Sequence, residues 1–176
     1  MVRRVQWWSV VWLAAVWVAL WGRVSVGNVV AGVLVGVAVT VAMPMTPMGF
    51  HGRVRPWGVV LLVARFTVDL VRGSLEVAVI ALRLGYVPTG AVIGVQLRSH
   101  SDLYLTLTAE LCSLVPGTVV VDARRLTGML YLHVLDVKGP EGIEAARAHV
   151  LDQEERVLRA LASDDELAEA GLEVRR

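Results

Sequence analysis

Between Val5 and Met43 the sequence has a single charged residue, Arg23, in what is otherwise two apolar runs back to back. A water-soluble core has no use for so long a run, whereas a bilayer asks for about 20 apolar residues per helical span. Cysteine is nearly missing as well. Cys112 stands alone in 176 residues, which excludes an intramolecular disulfide framework and a thiolate metal cluster. Its setting, Ala109-Glu110-Leu111-Cys112-Ser113-Leu114, reads as that of a small buried hydrophobe. Sixteen of the seventeen basic residues are Arg, and no Lys/Arg run exceeds two, so a nucleic-acid footprint is not expected. Nor is there a nucleophile–base pair, a glycine-rich nucleotide loop or a metal-ligand spacing. His51, His100, His133 and His149 are scattered, so neither an enzyme nor a cofactor or metal site is expected.

What is present is hydrophobicity and a divided charge. The apolar fraction is 56%, the mean hydropathy is +0.62, and the net charge is only +1. Residues 1–88 hold eight Arg against Asp69 and Glu76, while residues 89–176 hold nine basic and fourteen acidic side chains. The apolar half is therefore the basic half, and its arginines read as membrane flanks. The first expected span is Val5 to Trp21, with Trp7, Trp8 and Trp21 suited to the two headgroup levels. The second is Val26 to Met43, ended by Pro44 and Pro47. Arg3 and Arg4 before the pair, and Arg53 and Arg55 after it, place both its ends in the cytoplasm by the positive-inside rule. Residues 1–56 are thus expected to be a transmembrane hairpin with a cytoplasmic loop. Gly32 and Gly36 have the spacing that lets membrane helices approach closely, which makes them candidates for packing on a partner.

Residues 57–86 read as one amphipathic helix. Arg65, Asp69, Arg72, Glu76 and Arg83 fall on one face at helical spacing, opposite Leu61, Leu62, Val68, Leu75 and Val79. Two placements fit. A one-sided polar stripe suits a helix lying in the membrane interface, and the length also allows a third span packed on partner subunits. The stripe itself could be a charged relay on an ion path, since intramembrane ionisable groups are functional candidates. Arg65–Asp69 and Arg72–Glu76 pairs on a solvated face explain it more simply.

From residue 87 the character is that of a small α+β domain, expected to reach residue 162. Ala91–Leu97 is strand-like, a helix runs from Asp102 to Pro116-Gly117, and Thr118–Asp122 and Met129–Val137 form two more strands about a short loop. Pro140 opens a last helix with Ile143, Ala146, Val150, Val157, Leu158 and Leu161 on one face. The order β-α-β-β-α is split-βαβ-like. His133 reads as a partly buried strand histidine, Asp122 and Asp136 as turn residues, and residues 163–176 as a frayed acidic tail.

The run Leu114-Val115-Pro116-Gly117-Thr118-Val119-Val120-Val121-Asp122, followed by Leu130-Tyr131-Leu132-His133-Val134-Leu135-Asp136-Val137, resembles the E subunit of multisubunit (Mrp-type) Na+/H+ antiporters. The resemblance covers residues 5 to about 160. Glu110 departs from it, since a neutral polar residue is the pattern there. The resemblance implies an accessory, cofactor-free component in the bacterial cell membrane, supporting the assembly and activity of larger ion-translocating subunits. Pro116, Gly117, Thr118, His133 and Asp136 are its motif residues. Its expected partners are the other antiporter subunits and the lipid bilayer, with the C-terminal domain cytoplasmic. A membrane-tethered ligand-binding or regulatory module is the alternative, as is direct cation translocation along the Arg65/Asp69/Arg72/Glu76 stripe.

Overall fold

A computed structural model describes residues 7–43 and 52–173, and the chain divides into two compact units at residues 49 and 50. In the first unit α1 (Trp7–Trp21) and α2 (Val26–Ala42) form an antiparallel hairpin. Gly22, at φ +65°, makes the turn, and the Ser25 hydroxyl caps α2 by accepting from the Asn28 N–H. The helices touch through small residues. A Cβ on Gly32 would lie 3.2 Å from the Ala14 Cα, and one on Gly36 3.1 Å from the Val10 carbonyl oxygen. Val10 and Ala14 are correspondingly buried. Gly32 and Gly36 thus line the contact within the hairpin.

The hairpin forms, but its limbs are shorter than full spans. At 15 and 17 residues they measure about 22 and 25 Å. α3 (Pro56–Leu82) has the length but carries four charges. Among the described residues no helix is long and apolar enough to cross a membrane. Of the expected transmembrane hairpin, the structure shows two short apolar helices joined at a tight turn. The loop residues 44–51, with the expected stop at Pro44 and Pro47, lie outside the described residues, as do Arg3, Arg4 and His51.

The second unit contains α3, β1 (Ala91–Gln96), α4 (Asp102–Leu114), β2 (Thr118–Arg124), β3 (Met129–Val134), α5 (Gly139–Leu161) and α6 (Asp164–Glu169). The sheet order is β1-β3-β2, with both pairings antiparallel. β1 and β2 therefore run parallel with β3 between them, which is the split arrangement the element order implied. Ile93, Val95, Leu130 and Leu132 meet Leu105, Cys112 and Val150 of α4 and α5 in one core. A second core joins Tyr104, Val157 and Leu158 to Leu167 and Ala170 of the α6 region.

Three local readings change. β3 stops at Val134, because Asp136 adopts a left-handed φ of +55°. His133 is exposed on the outer sheet face, its ring seated on Gly90, where a Cβ would collide with it. The acidic segment after Leu161 is a packed helix, held by a reciprocal capping box between Ser163 and Glu166. Glu110, the departure from the family pattern, is exposed to solvent.

Candidate functional site: the seat of helix α3

α3 lies on the α+β domain through a face made for close approach. Gly58 meets α5, where an added Cβ would be 2.9 Å from the Ala160 Cα. Gly73, fifteen residues on, meets the turn before β2, where a Cβ would be 2.8 Å from the Pro116 carbonyl oxygen. Leu62 packs between them on the second core. At the N-terminal end Arg55 clamps the helix. Its N–H donates to the Ala160 carbonyl at 2.9 Å, and its guanidinium donates to the Ala162 carbonyl at 2.7 Å and to Asp164 at 2.5 Å. Arg55, a membrane flank by its position in the sequence, here ties α3 to α5 and α6.

Asp69 is the electrostatic centre of the seat. The Arg156 guanidinium reaches it from α5 at 2.6 Å, with both side chains largely shielded at 16% and 12% exposure. The same guanidinium also donates to Asp152 and, at 3.1 Å, to Gln153 Oε1. The Arg65–Asp69 and Arg72–Glu76 pairs expected along α3 do not form: among the described residues no carboxylate lies within 4 Å of Arg65 or Arg72. Helical spacing made those pairs available, but desolvation favours the partner that shields Asp69. Arg65, Arg72 and Glu76 are exposed beside the seat.

The motif residues gather at the other end of α3. Pro116 takes Gly73, and Gly117, at φ +97°, accepts from the Leu135 N–H at 2.8 Å, while a Cβ on it would lie 3.7 Å from the Val77 side chain. Thr118 seals the end of α4 by donating to the Cys112 and Val115 carbonyls. Asp136 accepts from the Tyr86 hydroxyl at 2.5 Å, and His133 rests on Gly90, so both hold the connector between α3 and β1. Two hollows flank this end. A crevice of about 240 Å³ under α3 is bordered by Asp69, Glu76, Pro116 and His149. A groove of about 750 Å³ runs along α3 to Asp136 and Lys138. Among the described residues no group of acidic, His and Cys side chains could hold a metal ion.

Inside the domain, side chains are tuned for stability. Burial pushes the Cys112 thiol up to about 12. Burial, then a hydrogen bond to Glu166, raises the Tyr104 phenol. Burial of Glu155 favours its neutral form, but hydrogen bonds from Arg159 and Arg98 outweigh that and hold its carboxyl below the usual range. Buried Glu154 accepts the Arg98 and Ser99 N–H groups at 2.8 and 2.9 Å, fixing the turn after β1. These contacts supply no convergent acid, base and nucleophile.

The profile of the Na+/H+ ion antiporter subunit family matches residues 10–160. The chain belongs to this family. It is similar to the E subunit of the Na(+)/H(+) antiporter of Alkalihalophilus pseudofirmus, at 26% identity over 130 residues covering 73% of this chain and 82% of that one. The E subunit of a probable K(+)/H(+) antiporter of Rhizobium meliloti is 27% identical over 132 residues, covering 73% and 81%. In fold the antiporter subunit matches a chain of the membrane-bound sulfane sulfur reductase, an archaeal respiratory membrane complex, with a TM-score of 0.66 at 16% identity over 89% of this chain and 98% of that one.

In this chain the motif residues hold α3 and its connector on the α+β domain. Gly58, Gly73, Tyr86 and Arg156 complete the seat, and sequence reasoning does not find them. Only the glycines leave a signal, as two small residues sharing one face of an otherwise bulky helix.

Proposed function

We propose that this chain is an accessory component of a multisubunit cation/proton antiporter in the bacterial cell membrane. Its apolar hairpin is embedded in the bilayer, and its domain lies on the cytoplasmic side. The chain supports assembly and activity of the ion-translocating partners and conducts nothing itself. The family membership supports the setting. The observation that carries the accessory role is the use of Asp69: its charge is directed into the domain and held by Arg156. A relay would need that carboxylate free to exchange protons.

The hairpin's chemistry agrees. Neither α1 nor α2 contains a charged residue. Two of its polar side chains are satisfied within it: the Trp17 indole donates to Asn28 at 3.0 Å, and the Thr40 hydroxyl donates to the Gly36 carbonyl at 2.9 Å. Satisfying polar groups internally is what hydrocarbon demands. Gly32 and Gly36 let the two limbs seat on each other, and the hairpin offers its remaining apolar surface to lipid and neighbouring subunits.

Asp69→Asn and Glu76→Gln separate the readings. Affinity purification of the tagged complex measures assembly, and cation-driven proton exchange in everted vesicles measures activity. Glu76→Gln should leave both unchanged, and Asp69→Asn should lower both in the same proportion. Exchange lost from a normally assembled complex would favour direct participation of the stripe in ion transfer.

A further inference from the structure

We propose that the groove between α3 and the β3–α5 connection binds an anionic phospholipid of the surrounding bilayer. Its acyl chain would lie along α3 and its phosphate between Arg83 and Lys138. The groove encloses about 750 Å³ and has two chemically distinct ends. Its long wall is Val68, Val71, Leu75 and Val79, each 49–62% exposed, so a continuous apolar strip has no cover among the described residues. The one hydroxyl on this wall, that of Thr67, donates to the Val63 carbonyl at 2.8 Å and asks nothing of an occupant. From Val68 to Arg83 the strip is about 22 Å long.

The polar end is organised around Tyr86. The Arg83 guanidinium and the Lys138 ammonium each lie 5.6 Å from its ring centroid. Asp136 is already engaged, accepting from the Tyr86 hydroxyl at 2.5 Å and facing Lys138 at 3.8 Å. Among the described residues Arg83 has no carboxylate within 4 Å. The lining carries Arg72, Arg83 and Lys138 against Glu76 and Asp136, one positive charge in excess.

Each simpler occupant leaves half of this site unsatisfied. A free anion would neutralise the cations and leave the valine strip wet. A neutral hydrocarbon would cover the strip and strand the charge. An extended peptide would need backbone partners, and Val and Leu side chains offer none. A lipid with an anionic phosphate meets both ends, as basic pockets beside membrane helices do.

The inference rests on the membrane reading only for the source of the lipid. The test is native mass spectrometry of the full chain, stripped of lipid in a neutral detergent and titrated with phosphatidylglycerol, phosphatidylcholine or glycerol phosphate. A one-to-one phosphatidylglycerol adduct is expected at concentrations where the other two give none. The Arg83→Gln/Lys138→Gln double variant should weaken it by about tenfold or more, and Leu75→Asn should weaken it independently. Arg147→Gln, an exposed arginine on α5, should not. Equal retention of phosphatidylcholine, equal binding of glycerol phosphate, or undiminished binding by the double variant would each overturn the proposal. Equal loss in the Arg147 control would do so too, by reducing the effect to net charge. Lost lipid binding with intact co-purification of the antiporter partners would leave the accessory role standing.

Discussion

Asp69 and Cys112 show how far a side chain's surroundings can depart from its neighbours in sequence. Asp69 has Arg65 and Arg72 at helical spacing, yet pairs with Arg156, 87 residues away. No local pattern encodes that partner, because it depends on α3 lying against α5. Cys112 is the opposite case, since its apolar neighbours already implied burial, and at 5% exposure it sits in the sheet core. Its thiol should be inert near neutral pH and alkylate only after denaturation. Rapid native reaction with iodoacetamide would contradict the packing. The pH dependence follows from the same burial. The thiol pKa is raised from an ordinary 9.0 to about 12, so the folded state favours the neutral form. That contribution is complete below about pH 9 and fades toward pH 12, as the unfolded chain ionises and the folded chain does not. Cys112→Ser should lose this alkaline limb in unfolding titrations.

Whole elements were more legible than their contacts. Short β-rich apolar runs bounded by turn residues marked the strands, and a 3.6-residue period marked α5, because one face of it meets the core. In the sequence β3 reads on to Val137, although Asp136, read as a turn residue, does turn the chain to meet Tyr86. α6 carried a readable signal, Ser163 followed three residues later by Glu166, masked by an acidic composition that reads as a tail. The glycines of α3 give the element its sharpest test. In an exposed helix Gly→Ala gains up to about 1 kcal/mol. At Gly73 the new Cβ would sit 2.8 Å from a backbone oxygen, so the sign should reverse. Gly73→Ala is expected to cost about 1–3 kcal/mol of domain stability. Gly27→Ala, where a Cβ meets nothing within 4 Å, should be neutral or stabilising. A stabilised Gly73→Ala protein in denaturant unfolding would mean that α3 is not held against Pro116.

At the scale of the molecule the open choice is where α3 runs relative to the bilayer, and the second unit alone can decide it. Both of its cores draw only on residues from Leu62 onward, so residues 50–176 should fold without the hairpin. On α3, Gly58, Leu62, Asp69 and Gly73 face the domain, while Trp57, Val60, Val63, Val71 and Leu82 stay exposed. The Ser74 hydroxyl in that outward sector is satisfied by the Leu70 carbonyl at 2.7 Å. An apolar sector of this width, on a helix whose other side is fastened to a polar domain, suits a helix lying in the interface plane. Crossing the bilayer would carry Asp69 and Arg156 into hydrocarbon along with the domain surface that holds them, at about 3 kcal/mol or more for each charge at mid-membrane. Residues 50–176 should therefore float with vesicles in a density gradient and be released by an alkaline carbonate wash. Retention through the wash would show a spanning α3, and failure to float would show that its apolar sector is reserved for a protein neighbour.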